Sequence, residues 1–344
     1  YVYVTSSNGQ SWKLISNGIP EGAYARAVRE DPDKKGLLYA GTERGVYISF
    51  DAGTSWKLFQ QNMPMVPITD LMVHQQDLLV ATHGRAFWIL DDLTALHQLG
   101  NEVANSAMFH YQPRDAVSTH GFSAPPNPKI GVNPFQGATI RYYIADIQPE
   151  DSLEVKIDIY QGDKLLRSFS SMEESPSAKL AAEKGMNVLQ WDLTVNPIKT
   201  SPGVMPAGPT GELNGYHVAP GKYTVRLSAE AFSQDQELTV LKDPRDEATE
   251  QEILNKTALL SGMYDQIVEL YETVKNMQQV RDQINTMNER LSGDEEVQQV
   301  GDLINKEIDG VEAELISPKQ ETFQDIINYR NQLDLQLYNL MQTI

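Results

Sequence analysis

An eight-residue motif that occurs twice is the feature that most constrains the fold of this 344-residue chain. Residues 49–56 read S-F-D-A-G-T-S-W, and residues 5–12, 44 positions upstream, read T-S-S-N-G-Q-S-W, with Ser7 in the position of Asp51. A short run of β-branched and aromatic residues precedes each copy, and a Lys-Leu pair follows each. Strand, glycine-containing turn and strand, repeated at about 40–45 residues, predict the blades of a β-propeller.

The residue types of this motif predict a structural turn. An Asp carboxylate accepts hydrogen bonds from the backbone of its own turn, Gly adopts backbone angles that other residues resist, and Trp is a large apolar anchor. We expect these positions to fasten the turn, with a ligand contact as the alternative: Thr5, Gly9, Ser11, Trp12, Ser49, Asp51, Gly53, Ser55 and Trp56.

Residues 1–100 have room for about two and a half blades. Strands are predicted for one complete repeat at 25–29, 37–41, 46–49 and 56–59, and for the next at 68–73, 78–82, 86–90 and 95–99. Because a closed propeller has about four to eight blades, this number would leave an apolar flank open. We therefore expect the remainder of the propeller, on the same polypeptide or a companion chain, to be a partner.

Residues 101–243 are rich in Pro and Gly, with short apolar stretches between the turns. This pattern predicts an antiparallel β-sandwich with Trp191 in its core and strands at 139–144, 153–160, 165–170, 187–193, 221–229 and 236–241. The segment 201–215 contains four Gly and three Pro and is predicted to be an exposed loop.

Residues 246–344 are predicted to form an α-helical hairpin or three-helix bundle. From Ile253, apolar residues recur in heptads without Pro, which predicts one helix of about 40 residues, roughly 60 Å long at ~1.5 Å per residue. A second helix follows Gly293, and a third begins near Pro318. The second helix is expected to turn the following residues inward: Val297, Val300, Ile304, Ile308, Val311 and Leu315.

The charge balance narrows the range of partners. The net charge is −19, and residues 246–344 alone contain 20 Asp/Glu against 7 Lys/Arg. Such a chain disfavours nucleic acid and anionic lipid as partners. The acidic helices are either a solvated surface or a docking arm for a protein partner. There is no run of 18 apolar residues, so we expect no membrane span, and the lack of Cys excludes disulfides and thiolate metal sites.

Three further stretches give the chain a resemblance to a known family. They are A-T-H-G-R-A-F-W-I-L-D-D-L-T at 81–94, G-M-N-V-L-Q-W-D-L at 185–193 and A-P-G-K-Y-T-V at 219–225. Together with the two Asp-box motifs, they resemble bacterial neuraminidase-repeat (BNR/Asp-box) proteins with sortilin-like propellers, often labelled glycosyl hydrolase. The resemblance covers nearly the whole chain. It implies terminal propeller blades at 1–100, an immunoglobulin-like sandwich at 101–243, a helical segment at 246–344, and most of the propeller upstream.

One group of polar residues is a candidate ligand site. His83 and Arg85 flank Gly84 at a predicted strand end, where imidazole and guanidinium could hold an anion or a sugar hydroxyl. Glu43 and Arg44 lie between two strands of the preceding repeat. The alternative is an ordinary turn in which Arg85 pairs with an acidic neighbour. No carboxylate pair suited to glycoside hydrolysis is recognisable, so the catalytic residues stay unknown. No metal-ligand spacing or cofactor motif appears.

The sequence favours a binding or scaffold protein that uses its propeller to hold a polypeptide or glycan. The resemblance implies a bacterial, extracytoplasmic protein in the periplasm, at the cell surface or secreted. One alternative is a glycoside hydrolase whose catalytic carboxylates lie upstream of this sequence. Another is an assembly subunit of a cell-surface machine that docks through its helical arm.

Overall fold

A computed structural model describes residues 1–119, 131–145, 153–200, 212–317 and 328–344. These residues form a mixed β-plus-α structure with several antiparallel sheets and a few helices. They divide into two compact units. The first is Tyr1–Arg114 with a short piece that ends at Pro134, and the second holds the other described residues up to Ile344. The division into three domains at 1–100, 101–243 and 246–344 stays a prediction.

The first unit is mainly antiparallel β-structure. Strands β3 to β6 form a four-stranded sheet in chain order, β7 to β9 form a three-stranded sheet, and β1 pairs with β2. The predicted strands of the complete repeat are thereby confirmed. The described elements are β1 (Tyr3–Val4), β2 (Lys13–Leu14), β3 (Ala25–Glu30), β4 (Leu38–Thr42), β5 (Gly45–Ser49), β6 (Lys57–Leu58), β7 (Ile68–His74), β8 (Asp77–Thr82), β9 (Phe87–Leu90), α1 (Thr94–Gln98), α2 (Asn101–Asn105) and β10 (Met108–His110).

The four-stranded sheet is buried on both faces. One face packs against the sheet of β7 to β9 through a cluster that includes Leu37, Tyr39 and Ile68. The other face holds a smaller cluster around Tyr47 and Trp56. Side chains alternate between the two faces of a strand, so apolar residues at successive positions serve both clusters. Each large apolar side chain buried in this way contributes about 1.5–3 kcal/mol.

The strand predicted at 95–99 is wrong, because this segment forms helix α1. Asp92 Oδ1 accepts hydrogen bonds from the Thr94 N–H (3.1 Å) and from the Thr94 hydroxyl (2.5 Å) at the beginning of the helix. The Lys34 ammonium donates to the Leu99 carbonyl oxygen (2.9 Å) at its end. Side-chain partners at both ends of a segment favour a helix, whereas the pattern of the five residues A-L-H-Q-L is too short to distinguish the two structures.

The described residues of the second unit form two larger sheets, one two-stranded sheet and three helices. The five-stranded sheet has the order β11–β19–β18–β13–β14, antiparallel except for the β11–β19 pair, and β12 pairs antiparallel with β15. The described elements of the second unit are β11 (Ala116–Ser118), β12 (Ala138–Ile144), β13 (Lys156–Gln161), β14 (Lys164–Ser170), β15 (Gly185–Trp191), β16 (Ile198–Lys199), β17 (Glu212–Leu213), β18 (Gly221–Ala229), β19 (Phe232–Lys242), α3 (Glu250–Arg290), α4 (Glu295–Leu315) and α5 (Leu333–Thr343).

Trp191 packs between the two larger sheets of the second unit, and the prediction that it lies in the core is confirmed. Its indole ring is fully buried and meets the Tyr223 ring edge-on, with 6.0 Å between the ring centroids. The strand that carries it ends two residues earlier than predicted, because Leu193 has a left-handed backbone (φ 62°). Of the loop predicted at 201–215, residues 201–211 lie outside the described residues, and Glu212–Leu213 form β17.

Helix α3 confirms the prediction of a single helix of about 40 residues, with 41 residues in all. Thr249 and Glu252 form a capping box at its beginning, in which each side chain accepts from a backbone N–H that the helix leaves unpaired. In the first part of the helix, Tyr271 is buried outside the predicted heptads, and the other buried residues follow them: Leu260, Met263, Ile267, Leu270 and Val274.

The burial predicted for the second helix is wrong in large part. Helix α4 buries Gly301, Ile308 and Glu312, whereas Val300, Ile304 and Val311 are exposed. Polar contacts with α3, described below, decide this orientation. Within the segment predicted as the third helix, residues 318–327 lie outside the described residues, and among the others the helix begins only at Leu333.

Candidate functional site

Two strand-connecting turns of the first unit meet at the beginning of β7. The turn between β4 and β5 carries Glu43 and Arg44, and the turn between β8 and β9 carries His83 and Arg85. The Gly45 N–H donates to the Val66 carbonyl oxygen (3.2 Å), and the His83 N–H donates to the Pro67 carbonyl oxygen (2.9 Å). The structure therefore brings together the four candidate residues that the sequence separates by about 40 positions.

Glu43 is the centre of a hydrogen-bonded group at this place. The Arg26 guanidinium donates to both of its carboxylate oxygens (2.7 and 3.1 Å), and the Tyr24 hydroxyl donates to Oε1 (2.7 Å). These hydrogen bonds, from Arg26 first and Tyr24 second, lower the pKa of Glu43, and the nearby His83 acts in the same direction. The carboxylate is therefore ionised at neutral pH. It raises the pKa of the Tyr24 phenol in turn.

Sequence reasoning missed Tyr24 and Arg26 as partners of Glu43. The β3–β4 pairing shifts register between Ala25 and Ala27, so Arg26 is the extra residue of a β-bulge. A bulge changes the direction of a side chain at the end of a strand. The alternation of residues in β3 contains no sign of it, because strand register depends on the partner strand.

The other three candidates are exposed on turns whose backbone is held by threonine. The Thr42 hydroxyl oxygen accepts from the Arg44 N–H (3.0 Å), and the Thr82 hydroxyl oxygen accepts from the Arg85 N–H (3.1 Å). The ion pair weighed as the alternative for Arg85 does not occur among the described residues. His83, Arg44 and Arg85 therefore extend from fixed backbone.

Two exposed aromatic side chains lie next to these turns. Phe87, the first residue of β9, is 83% exposed, and Tyr24 is also exposed. Trp88 is half-buried against the apolar cluster, and its indole N–H donates to the Arg85 carbonyl oxygen (2.9 Å). Together with Glu43, the site can offer a carboxylate, cationic groups and aromatic faces to a polar ligand.

The second Asp-box turn lies at the other end of β5, away from Glu43. Asp51 accepts from the Ser55 hydroxyl (2.6 Å), the Ser55 N–H (2.8 Å) and the Ser49 hydroxyl (2.8 Å). These bonds, with the Ser55 hydroxyl first, lower the pKa of Asp51 to about 2. The buried Trp56 indole N–H donates to the Ile15 carbonyl oxygen (2.6 Å). The Asp51 carboxylate and the Trp56 indole N–H therefore form hydrogen bonds within the protein.

The first copy forms the same bonds with hydroxyl groups. The Thr5 hydroxyl oxygen accepts from the Gly9 N–H (2.9 Å), and the Ser7 hydroxyl oxygen accepts from the Ser11 N–H (2.9 Å). The Trp12 indole N–H donates to the Gly9 carbonyl oxygen (3.1 Å), and the side chain is 61% exposed. Both turns therefore direct their polar side chains to their own backbone.

Asp31, Asp33 and His97 bring potential metal ligands within 4.8 Å of one another. The buried Asp31 is already used by protein donors: Oδ1 accepts from the Asp33 N–H (2.9 Å), and Oδ2 accepts from the Tyr39 hydroxyl (3.1 Å) and lies 2.9 Å from His97 Nε2. The cluster attaches helix α1 to the β3–β4 turn. The sequence does not reveal it, because His97 lies 66 positions from Asp31.

The second unit has a cleft of about 580 Å³ between strand ends and helix α3. Most of its charged lining residues have partners in the protein. Asp243 forms an ion pair with Arg245 (2.7 Å), Lys242 donates to the Asp246 carbonyl oxygen, and Glu252 caps α3. A large cleft is a default candidate for a binding site. This one lacks a group of convergent free polar residues.

Comparisons with known proteins leave the family open. No family model and no curated protein matched the sequence. Among the solved structures that matched is the extracellular domain of a protein assigned as a hybrid two component system from B. thetaiotaomicron, at 12% identity and a TM-score of 0.21. The match covers 69% of this chain and 28% of that chain. Nothing is inferred from a TM-score this low. Within the described residues, no helix combines the length and apolar character needed to cross a membrane.

Proposed function

We propose that this chain is the C-terminal part of a bacterial, extracytoplasmic binding or scaffold protein of the BNR/Asp-box, sortilin-like group. In this proposal the sheets of the first unit are propeller blades. The β12–β15 pair and the five-stranded sheet form an immunoglobulin-like sandwich, and the helices form a bundle after it. A four-stranded antiparallel sheet, buried on both faces and closed by an Asp-box turn, supports the assignment of the blades.

The observation that carries the binding proposal is the fixed geometry around Glu43. Arg26 and Tyr24 hold the carboxylate, and its pKa is lowered. A catalytic acid needs a pKa near the working pH, so this carboxylate suits recognition better than proton transfer. The exposed His83, Arg85 and Phe87 add hydrogen-bond donors and an aromatic face. Such a surface suits a polypeptide or a glycan.

A glycoside hydrolase remains the rival proposal, and one contact favours it. Tyr24 is hydrogen-bonded to Glu43, and sialidases use a Tyr nucleophile. However, the pKa of Tyr24 is raised, and Arg26 engages both carboxylate oxygens. Both features oppose activation of the phenol. In this rival proposal, the catalytic carboxylates lie upstream.

The remainder of the propeller is the proposed partner of the first unit. On the face of β7 to β9 away from the core, Met72 pairs with Leu79, which pairs with Ile89. Met72 and Ile89 are exposed. A continuous apolar row across a sheet is typical of a surface that another element covers. We propose that a further blade packs here.

Binding of the full 344-residue chain to an array of plant and host glycans, and to a peptide library, tests the proposal. We expect Tyr24→Ala and Phe87→Ala to lower the affinity for any ligand that binds by at least about tenfold, since removal of a central aromatic residue commonly costs more than 1 kcal/mol. Phe50→Ala is the matched control, because Phe50 is also exposed but follows β5 at its Asp-box end.

Two outcomes would contradict the binding proposal. Equal loss in Phe50→Ala would show that the turns of Glu43 and His83 are not the binding surface. The second outcome is turnover of fluorogenic glycosides or sialosides that Glu43→Gln abolishes. The hydrolase proposal would then replace the binding proposal. Amide hydrogen exchange of β3 and β4 verifies that each variant is folded.

A further inference from the structure

The seam between α3 and α4 is polar for much of its length. Arg281 of α3 donates to Asp309 (2.7 Å) and to the buried Glu312 (2.5 Å), and the Gln278 side-chain amide also donates to Glu312 (2.9 Å). An ion pair with several partners and limited solvent access has a defined geometry. These contacts fix how α4 is rotated about its own axis at its C-terminal end.

The same rotation is fixed nearer the tip of the hairpin. The Asn305 amide donates to the Asn285 side-chain oxygen (3.0 Å). Gly301 packs on Asn288 so closely that a Cβ at residue 301 would lie 2.7 Å from the Asn288 side-chain amide. A larger residue at 301 would displace the Asn288 side chain. Apart from the buried Ile308, the side of α4 that faces α3 is therefore formed by Gly301, Asn305, Asp309 and Glu312.

This orientation leaves the apolar side of α4 exposed. With about 3.6 residues per turn, Val300, Ile304 and Val311 lie roughly a quarter turn from the seam residues, whereas Leu303 lies about half a turn from them, on the side of α4 away from α3. In α3, Val280, Ile284, Met287 and Leu291 are displaced from the seam in the same rotational sense. Because the helices run antiparallel, both sets reach the same side of the hairpin.

Without Leu303, these seven residues form one apolar surface, which we call the hairpin face. Six of them are at least two-fifths exposed: Val280 (44%), Met287 (56%), Leu291 (45%), Val300 (53%), Ile304 (40%) and Val311 (51%). No other described residue covers them. A surface of this kind, two helices wide, has the shape of a groove that receives a third amphipathic helix.

The charge along one edge of the hairpin face decides what kind of helix fits. Glu296, Glu307 and Glu314 lie on α4 just beyond the apolar stripe, on the side away from α3. None of the three has an ion-pair partner among the residues that the structure describes. The α3 edge carries Asn276 and Gln283 instead. One rim is thus acidic and the other nearly neutral.

We propose that the hairpin face binds a basic amphipathic helix of a partner protein. The apolar stripe of that helix packs between α3 and α4, and its Lys or Arg residues meet Glu296, Glu307 and Glu314. A second copy of this chain is disfavoured, because it would bring a second acidic hairpin to an acidic rim. An anionic membrane is disfavoured for the same reason. This inference does not depend on the function proposed for the first unit.

The test uses the full chain and two synthetic 21-residue helical peptides. Both have Leu at i, i+3, i+4 and i+7; one has Lys and the other has Glu beside the Leu stripe. We expect the Lys peptide to bind, the Glu peptide to bind at least about tenfold more weakly, and added salt to weaken the Lys complex. Replacement of Val300 by Asp is expected to reduce Lys-peptide affinity at least about tenfold.

A triple charge reversal provides the sharper variant. Glu296→Lys, Glu307→Lys and Glu314→Lys together are expected to reverse the preference, so that the Glu peptide binds better. Leu259→Asp is the control, since Leu259 is an exposed apolar residue of α3 outside the hairpin face. Circular dichroism verifies the helix content of every variant.

Three results would overturn the proposal. The first is equal affinity for both peptides, or no binding of either at high micromolar concentration. The second is an affinity loss in Leu259→Asp as large as in Val300→Asp. The third is a concentration-dependent dimer, seen by sedimentation and abolished by Val300→Asp, because a second copy would then occupy the face. Failure of glycan or peptide binding at Glu43 leaves each of these results unchanged.

Discussion

The motif at residues 5–12 and the motif at residues 49–56 build the same turn from partly different residues. In both, a hydroxyl at the first position accepts from the Gly N–H at 2.9 Å. Backbone angles also agree, with φ of 54° and 87° at Asn8 and Gly9 and of 55° and 84° at Ala52 and Gly53. An ionised Asp51 in one copy and a neutral Ser7 in the other thus support one backbone shape.

The two tryptophans of these motifs have opposite environments. Trp56 is 3% exposed and donates to Ile15, 41 positions away, whereas Trp12 is 61% exposed and bonds within its own turn. The side-chain hydrogen bonds that the two turns share join residues four positions apart. Burial of the tryptophan requires a second segment. The comparison separates a local property of the motif from a tertiary one.

Truncation of the two tryptophans is expected to give the largest difference. Trp56→Ala should destabilise the first unit by about 3–5 kcal/mol, as for other buried aromatic residues. Trp12→Ala should cost no more than about 1 kcal/mol, because an exposed side chain loses little packing. Amide hydrogen exchange of β3 to β6 measures this for the first unit alone. Equal costs would mean that Trp12 is buried in solution.

Alanine at the two motif glycines should give the next largest contrast. Both have positive φ, so each substitution carries backbone strain of about 1 kcal/mol. At Gly53 the new Cβ would also lie 2.5 Å from Ile15 Cδ1, whereas at Gly9 its nearest neighbour is 3.9 Å away. We expect about 2–4 kcal/mol for Gly53→Ala and about 1 kcal/mol for Gly9→Ala. Amide hydrogen exchange of β3 to β6 measures both costs, and equal costs would contradict this prediction.

Loss of the polar side chain in each turn should have a smaller effect. Asp51→Ala removes charge-assisted bonds to Ser55 and is expected to cost about 1–2 kcal/mol. Asp51→Ser should cost less, because Ser7 makes the equivalent backbone bond in the first copy. Exchange of the Ser55 amide is the direct measurement. A cost for Asp51→Ser equal to that of Asp51→Ala would show that the two turns are not equivalent.

The smallest expected effect is a dependence on pH that only one copy has. The pKa of Asp51 is about 2 in the folded chain, below its ordinary value of 3.8. Its contribution is therefore complete above about pH 4 and is lost as the pH falls through 2. Ser7 does not ionise in this range. Urea unfolding at several pH values between 2 and 5 should show the stability difference between wild type and Asp51→Ser shrinking as the pH falls.

The sequence placed Glu43 between two predicted strands and His83 at a strand end, and both lie on turns between strands in the structure. It could not predict the contacts that Glu43 makes. Engagement of Glu43 by Arg26 depends on a bulge in the β3–β4 pairing. The register of two strands is a property of the pair, so neither strand predicts it alone.

Helix α4 shows the same limit in the helical region. Its apolar periodicity correctly predicted an amphipathic helix, and the usual expectation that the apolar side is inward failed at Val300, Ile304 and Val311. Specific contacts of Glu312 and Asn305 with α3 outweigh that expectation. A hydrophobic stripe indicates that a helix has a side to cover. It does not indicate which neighbour covers it.

By itself, the sequence determined the two motif turns, the strands of the complete repeat, the length of α3 and the burial of Trp191. All of these depend on hydrogen bonds or apolar patterns between residues near one another along the chain. Only the tertiary structure decided that Trp56 is buried and Trp12 exposed, that Arg26 holds Glu43, and that α4 turns its apolar side outward. Each of these depends on a contact between distant segments, whose free energy neither segment carries alone.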